Sequence, residues 1–184
     1  AFIENEVVNV ESLTREGKAV LKACIPAYVP KEDSTDKYIF ISYSHKDAKK
    51  VYLDLAYFMY NSKTRVRFWY DEGLKFGENW VKDAGVHLED KNCVGVLFYL
   101  SENLLLSPAV FKEISIVKKL KKFWFSVALD PKITSAKPLK KDSVEVLEKK
   151  GITLEKLKTL IKFFPDNNTA LVHYSWNSDA RIKQ

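Results

Sequence analysis

The chain has 184 residues, of which 46% are hydrophobic and 29% charged, and its formal net charge is +6. This composition is typical of a globular protein, and the length suffices for one ordinary domain with a sizeable core. No apolar run approaches the roughly 20 residues of a membrane-spanning helix, so we expect no membrane association.

The N-terminal part differs from the rest of the chain. Residues 1–36 combine one possible short helix with a stretch that carries two prolines and clustered charge, "PAYVPKEDSTDK". We interpret them as an extension or linker from an upstream region and expect the main domain over residues 37–184. Cys24 and Cys93 lie far apart and share no metal-ligand spacing, which favours reduced thiols in a cytoplasmic protein.

From Tyr38 onward, apolar runs alternate with amphipathic segments. Strands are predicted for "YIFISY", "VRFWY", "CVGVLFYL", "FWFSVAL" and "TALVHY". Helices are predicted over residues 44–61, 80–90, 107–120, 142–150 and 153–164. This alternation indicates an α/β fold, with a five-stranded parallel sheet covered by helices on both faces and "CVGVLFYL" as a central strand.

The first predicted helix has a recognisable beginning and an inner face. Ser44 and Asp47 form an S-x-x-D pattern, which is typical of a helix-capping pair. The inner face is predicted to contain Val51, Leu55, Phe58 and Met59.

The helix predicted over residues 107–120 carries a carboxylate on its apolar face. Ser107 and Pro108 are a favourable helix start. Glu113 lies in the middle of the apolar face, and an ionised carboxylate seldom occupies a buried position without a partner. Either it forms an ion pair or a capping contact, or it lines a cavity. The apolar face comprises Ala109, Val110, Ile114, Ile116, Val117 and Leu120.

Polar residues follow the predicted strands at their carboxyl ends, where ligands collect in parallel sheets. The set includes Ser42, Tyr43 and Ser44 after the first strand, Asp71 after the second and Ser101 after the third. Turn formation and capping are the competing explanation for Ser44, Asp71 and Ser101.

Several other kinds of site find no support in the sequence. The 6 glycines form no phosphate-binding loop, and the 3 histidines have no metal-ligand spacing. No nucleophile elbow occurs. The basic run "KKLKK" at residues 118–122 is interpreted as a solvated helix end rather than a nucleic-acid patch, since no aromatic-interleaved basic motif accompanies it.

Three stretches, in this order, resemble the Toll/interleukin-1 receptor (TIR) domain in its bacterial form. They are "YIFISYSHKD", "VRFWYDEGLKFGENW" and "CVGVLFYLSENLLLSPAVFKEI", and the resemblance covers roughly residues 37–175. It implies a flavodoxin-like fold with five parallel strands. It also implies that residues 71–79 belong to the family's BB loop, through which TIR domains associate with one another.

The resemblance also implies an activity. In enzymatic TIR domains the family glutamate is catalytic and NAD+ is the substrate, which corresponds here to Glu113, with no further cofactor and no metal. Many bacterial members have an aromatic residue four positions before this glutamate, where this chain has Ala109. The substrate-binding candidates are Tyr43, Ser44, Asp71, Gly77, Trp80 and Ser101, although Trp80 could equally belong to the core.

We therefore expect an NAD+ glycohydrolase or ADP-ribosyl cyclase of bacterial anti-phage immune signalling. Its partners would be NAD+ and further TIR domains, without direct nucleic-acid binding. The alternative is a non-enzymatic TIR module that only self-assembles. A flavodoxin-like receiver is a third, weaker interpretation, because the first strand ends in Ser42–Ser44 and lacks that family's acidic cluster.

Overall fold

A computed structural model of the chain describes residues 27–61, 66–71, 80–130, 132–133, 135–141, 144–164 and 169–171. Five segments of this part are strands. None of the helices within these ranges has the length and apolarity needed to cross a bilayer. The strands are β1 (Tyr38–Ser42), β2 (Phe68–Tyr70), β3 (Cys93–Leu100), β4 (Phe123–Ala128) and β5 (Thr169–Leu171).

The strands form a single parallel sheet in the order β2-β1-β3-β4-β5. The predicted α/β class with a parallel sheet is thereby confirmed, as is the central position of the strand "CVGVLFYL". The same strand order occurs in flavodoxin-like folds. β3 can occupy the middle because its residues are buried on both faces of the sheet; seven of its eight are buried.

Six helices and two short 3-10 turns connect the described strands. The 3-10 turns are His45–Asp47 and Lys137–Lys141. The four-residue helix α3 was not predicted, since a single turn carries no apolar periodicity. The helices are α1 (Ala48–Asn61), α2 (Trp80–Glu89), α3 (Glu102–Leu105), α4 (Pro108–Leu120), α5 (Val144–Lys149) and α6 (Leu154–Phe163).

Apolar side chains are buried on both faces of the sheet. On one face Phe40 and Phe98 pack with buried residues of α2, α4 and α6. On the other face Leu97 and Tyr99 pack with α1. Alternate residues of β3 therefore contribute to opposite cores, as the period of two in a strand requires.

Residues 27–36 are attached to the sheet. The Tyr28 amide donates a hydrogen bond to the Phe68 carbonyl oxygen at 2.8 Å. The centroid of the Tyr28 ring lies 5.5 Å from that of the Tyr38 ring. The Asn92 side-chain amide donates to the Ser34 carbonyl oxygen at 2.8 Å. The predicted boundary at residue 36 stays a prediction, and residues 1–26, which include Cys24, lie outside the described part.

Three residues assigned to inner helix faces are exposed. Phe58 is 48% exposed and Met59 38%, although the Phe58 ring centroid lies 5.8 Å from that of Phe68 in β2. Leu120 is 42% exposed, since it ends α4 at the turn into β4. Val51 and Leu55 are buried as predicted. Phe58 and Met59 do lie on the side of α1 that faces β2, but they and Leu120 are less buried than predicted.

The carboxyl end of α4 is fixed to the sheet. Lys121 adopts a left-handed conformation with φ of 51°, and its amide bonds to helix carbonyls. The Lys122 ammonium donates to the carbonyl oxygens of Asp90, at 2.9 Å, and Cys93, at 2.7 Å. Cys93 itself is a buried free thiol. At least one lysine of the basic run, Lys122, therefore forms hydrogen bonds within the fold.

Candidate functional site

The predicted polar set lies at one edge of the sheet. Ser42 is the last residue of β1, Asp71 directly follows β2, and Ser101 directly follows β3. Because the three strands are adjacent and parallel, their carboxyl ends meet. The order of the strands along the chain reverses between β1 and β3, which is where open parallel sheets form a ligand-binding crevice.

Helix α4 brings Glu113 to this edge. Pro108 occupies its first turn, and Val110, Ile114 and Val117 bury its inner side against the sheet. Glu113 lies one turn after Ala109, on the side of α4 nearest the end of β1. There its carboxylate oxygen Oε2 accepts a hydrogen bond from the Ser42 hydroxyl. The carboxylate is only partly accessible to solvent.

The surroundings of Glu113 favour its neutral form. Burial raises the pKa of Glu113 to about 7, and the charge of Asp71 adds to the rise. The hydrogen bond from Ser42 acts in the opposite direction, because it stabilises the ionised carboxylate. Within the described ranges, Ser42 is its one hydrogen-bond partner and no lysine or arginine forms an ion pair with it. The first interpretation was an ion pair or a capping contact: the ion pair is not found among these residues, and the contact that is found is the hydrogen bond from Ser42 at the end of β1.

The second interpretation, a cavity, is present. A cavity of about 230 Å³ lies between α2 and α4 and includes Glu113 in its wall. Gly85 on α2 and Ala109 on α4 are small residues of this wall, and the Lys112 ammonium nitrogen lies 3.5 Å from the position that a Cβ atom would take at Gly85. The remaining lining is mainly apolar, apart from Lys112 on the cavity wall. The wall is formed by Ala84, Gly85, Leu88, Pro108, Ala109, Lys112, Glu113 and Ile116.

A second polar group surrounds Asp71. The Tyr43 hydroxyl donates a hydrogen bond to the Asp71 carbonyl oxygen and lies 3.1 Å from the Tyr52 hydroxyl. The imidazole Nε2 of His45 lies 3.2 Å from Asp71 Oδ2. This hydrogen bond raises the pKa of His45, and burial raises that of Tyr43. Tyr43 and Asp71, both predicted site residues, thus meet at the first residue of the segment predicted to be the BB loop, residues 71–79.

Ser44 and Ser101 have other partners. The Ser44 hydroxyl accepts a hydrogen bond from the Lys46 amide at 3.4 Å, at the start of a 3-10 turn. Ser101 caps α3 and donates to Asp47 Oδ2 at 2.5 Å. Neither serine lines the cavity beside Glu113. Their contacts match the capping explanation, and their assignment to substrate binding stays a prediction.

The predicted capping pair of Ser44 and Asp47 is corrected by the same contacts. The chain first forms the 3-10 turn His45–Asp47, and the Asp47 carboxylate is directed to the end of β3. It accepts hydrogen bonds there from Ser101 and from the Asn103 side-chain amide, the latter at 2.9 Å. The S-x-x-D pattern therefore joins two strand ends instead of closing a reciprocal cap.

The two other predicted site residues lie at the margin of the described part. Gly77 falls outside it, together with residues 72–79. Trp80 begins α2, but the position of its side chain is not described. The two alternatives for the Trp80 side chain, the pocket and the core, therefore both stay predictions.

Sequence reasoning did not assign Gly85 or Lys112 to the site. A glycine inside a helix and a lysine beside a glutamate are common, and only the packing of α2 on α4 gives them a shared cavity. The small size of Gly85, inside a predicted amphipathic helix, was the one available signal of a close approach or a gap. Ser42 was recognised at the strand end but was not assigned a role.

Comparisons of the chain with protein-family models, with curated proteins and with solved structures find no match. The chemistry of the site is therefore derived from its geometry. Across the described ranges, no group of three or more His, Cys, Asp or Glu side chains could hold a metal ion. The arrangement instead offers one carboxylate, positioned by a buried hydroxyl, beside an apolar cavity.

Proposed function

We propose that residues 37–184 form a TIR domain of bacterial type that cleaves the bond between nicotinamide and ribose in NAD+. The observation that carries this proposal is Glu113, which accepts a hydrogen bond from Ser42 at a strand end and lines a cavity of about 230 Å³. A role in packing alone would not explain why a carboxylate occupies this position, since burial raises its pKa to about 7.

The reaction suits a site with a single carboxylate. Cleavage of the glycosidic bond leaves positive, oxocarbenium-like charge on the ribose, and nicotinamide departs as a neutral molecule. Ionised Glu113 would accept hydrogen bonds from the ribose hydroxyls and stabilise this charge. The apolar cavity wall strengthens that interaction and limits access of water. Attack by water then yields ADP-ribose and a proton; attack by the adenine or a hydroxyl of the same substrate yields a cyclic product.

The proposal extends to assembly and setting. In this interpretation the domain is cytoplasmic, acts in bacterial anti-phage signalling, and associates with further copies through the loop at residues 71–79. The hydrogen bond from Tyr43 to Asp71 supports a fixed base for that loop, beside the candidate site. Tyr43, Ser44, Asp71, Gly77, Trp80 and Ser101 remain the proposed substrate-binding residues.

The test is the release of nicotinamide from NAD+ by concentrated purified protein. We expect the wild type to release nicotinamide. Glu113→Gln should release it at least about a hundredfold more slowly, because a neutral amide cannot balance the developing charge. Glu155→Gln is the matched control, since Glu155 lies on the exposed side of α6. It should retain the wild-type rate.

A wild type without activity, even at high concentration and in its assembled form, contradicts the enzymatic proposal. If that inactive protein still forms assemblies, the non-enzymatic TIR module becomes the better interpretation. Activity that survives Glu113→Gln unchanged also contradicts the assignment of the catalytic residue.

A further inference from the structure

The hydroxyl of Ser42 has one described role, its contact with Glu113. Ser42 is 1% exposed and lies in the last position of β1, on the sheet face that α4 covers. Its Oγ donates to Oε2 of Glu113. The other carboxylate oxygen, Oε1, has no hydrogen-bond partner among the described residues.

We propose that Ser42 is the positioning residue of the proposed reaction: it binds one oxygen of the Glu113 carboxylate and leaves the other directed to the substrate. The inference rests on the proposed function and adds to it a residue that acts through Glu113. A strand end is well suited to this task, because the backbone of β1 is fixed by pairing with both β2 and β3. The hydroxyl therefore lies on a rigid element, as precise positioning requires.

The same contact opposes the effect of burial on the carboxylate. A hydrogen bond donated to a carboxylate favours its ionised form, and Ser42 acts in this direction on Glu113. The other titratable groups that face the site are Asp71, which raises the pKa of Glu113, and Lys112 on the cavity wall. His45 contacts Asp71 and reaches Glu113 only through it.

The experiment compares Ser42→Ala with Ser126→Ala across pH 5.5 to 9. Ser126 is a close match: it is also 1% exposed, and both serines are aligned with Phe98 in the sheet register. Loss of the Ser42 hydroxyl should move the acidic limb of the kcat/KM profile up by about one pH unit, which is about a tenfold lower rate at pH 6. Ser42→Thr, which keeps the hydroxyl, should retain the wild-type limb. Ser126→Ala should leave the limb in place.

A second measurement separates this inference from the proposed function. The Glu113 carboxyl carbon is followed by NMR titration in the wild type and in Ser42→Ala, without substrate. The titration should shift upward in the variant. An unshifted titration, or an equal shift in Ser126→Ala, overturns the inference even if the wild type cleaves NAD+. An inactive wild type overturns the proposed function, and with it the positioning role.

Discussion

Glu113 accepts a hydrogen bond from the buried Ser42 and lies in the wall of a mainly apolar cavity. In this environment the charge of Glu113 affects the stability of the folded protein. The pKa of Glu113 is raised from 4.5 to about 7 in the folded chain. Between these two values the folded state binds more protons than the unfolded state. The contribution of this residue to stability is therefore complete below about pH 4.5 and is lost as the pH rises through about 7.

We predict that Glu113→Gln is more stable than the wild type at pH 8, by about 1 to 2 kcal/mol, and that this gain shrinks at pH 5. The physical reason is that the amide keeps an acceptor for Ser42 but carries no charge to desolvate. Urea denaturation at both pH values measures the difference, with Glu155→Gln as the control. A gain that does not depend on pH would argue against a desolvated carboxylate.

The cavity between α2 and α4 is lined by two small residues, Gly85 and Ala109, and by the Lys112 side chain, which lies close to Gly85. Ala109 lies one helical turn before Glu113 on the same cavity wall. A larger residue at position 109 can occupy the cavity without entering the tightly packed core below it, since Ala109 is only partly buried. Under the proposed function, the size of the side chain at position 109 should therefore affect the reaction.

We predict that Ala109→Leu lowers nicotinamide release about tenfold or more, while the free energy of unfolding stays within about 1 kcal/mol of the wild type. The leucine would fill the space that the substrate needs. Ser115→Leu places the same side chain on the exposed side of α4 and should leave the rate unchanged. Wild-type rates in Ala109→Leu would mean that substrate does not enter between these helices.

Individual elements could be predicted from the sequence where one physical signal dominates. The apolar run of β3 gave its bounds, and Pro108 marked the start of α4. The apolar face of α4 identified Glu113 as unusual. Its partner Ser42 is 71 residues away, and no local pattern reveals which strand end a helix will face. The same holds for Asp47, whose nearby serine suggested a local cap although its partners lie across the sheet.

The molecule is organised around β3, from which both cores extend. Phe98 is fully buried, and its ring centroid lies within 6.0 Å of those of Trp124, Phe163 and Phe164. It therefore joins β4 and α6 to the middle of the sheet. The apolar runs predicted where strands occur. The order of the strands in the sheet depends on pairing between segments that are distant in sequence, and composition does not reveal that pairing.

We predict that Phe98→Ala lowers the free energy of unfolding by about 3 to 5 kcal/mol, because it opens a cavity in the central core. Phe123→Ala is the control: Phe123 lies on the adjacent strand but is 69% exposed, so it should cost less than about 1 kcal/mol. Urea denaturation followed by circular dichroism measures both. Similar losses in the two variants would show that the burial of Phe98 is not what stabilises the sheet.

The attachment of Lys122 to the carbonyl oxygens of Asp90 and Cys93 has a consequence for the spacing of residues along α4. It fixes the far end of the helix, so the angular position of Glu113 depends on how many residues separate it from that anchor. Each residue turns the helix by about 100°. One residue more or fewer in between would point the carboxylate away from β1, although every side chain of the site would still be present in the chain.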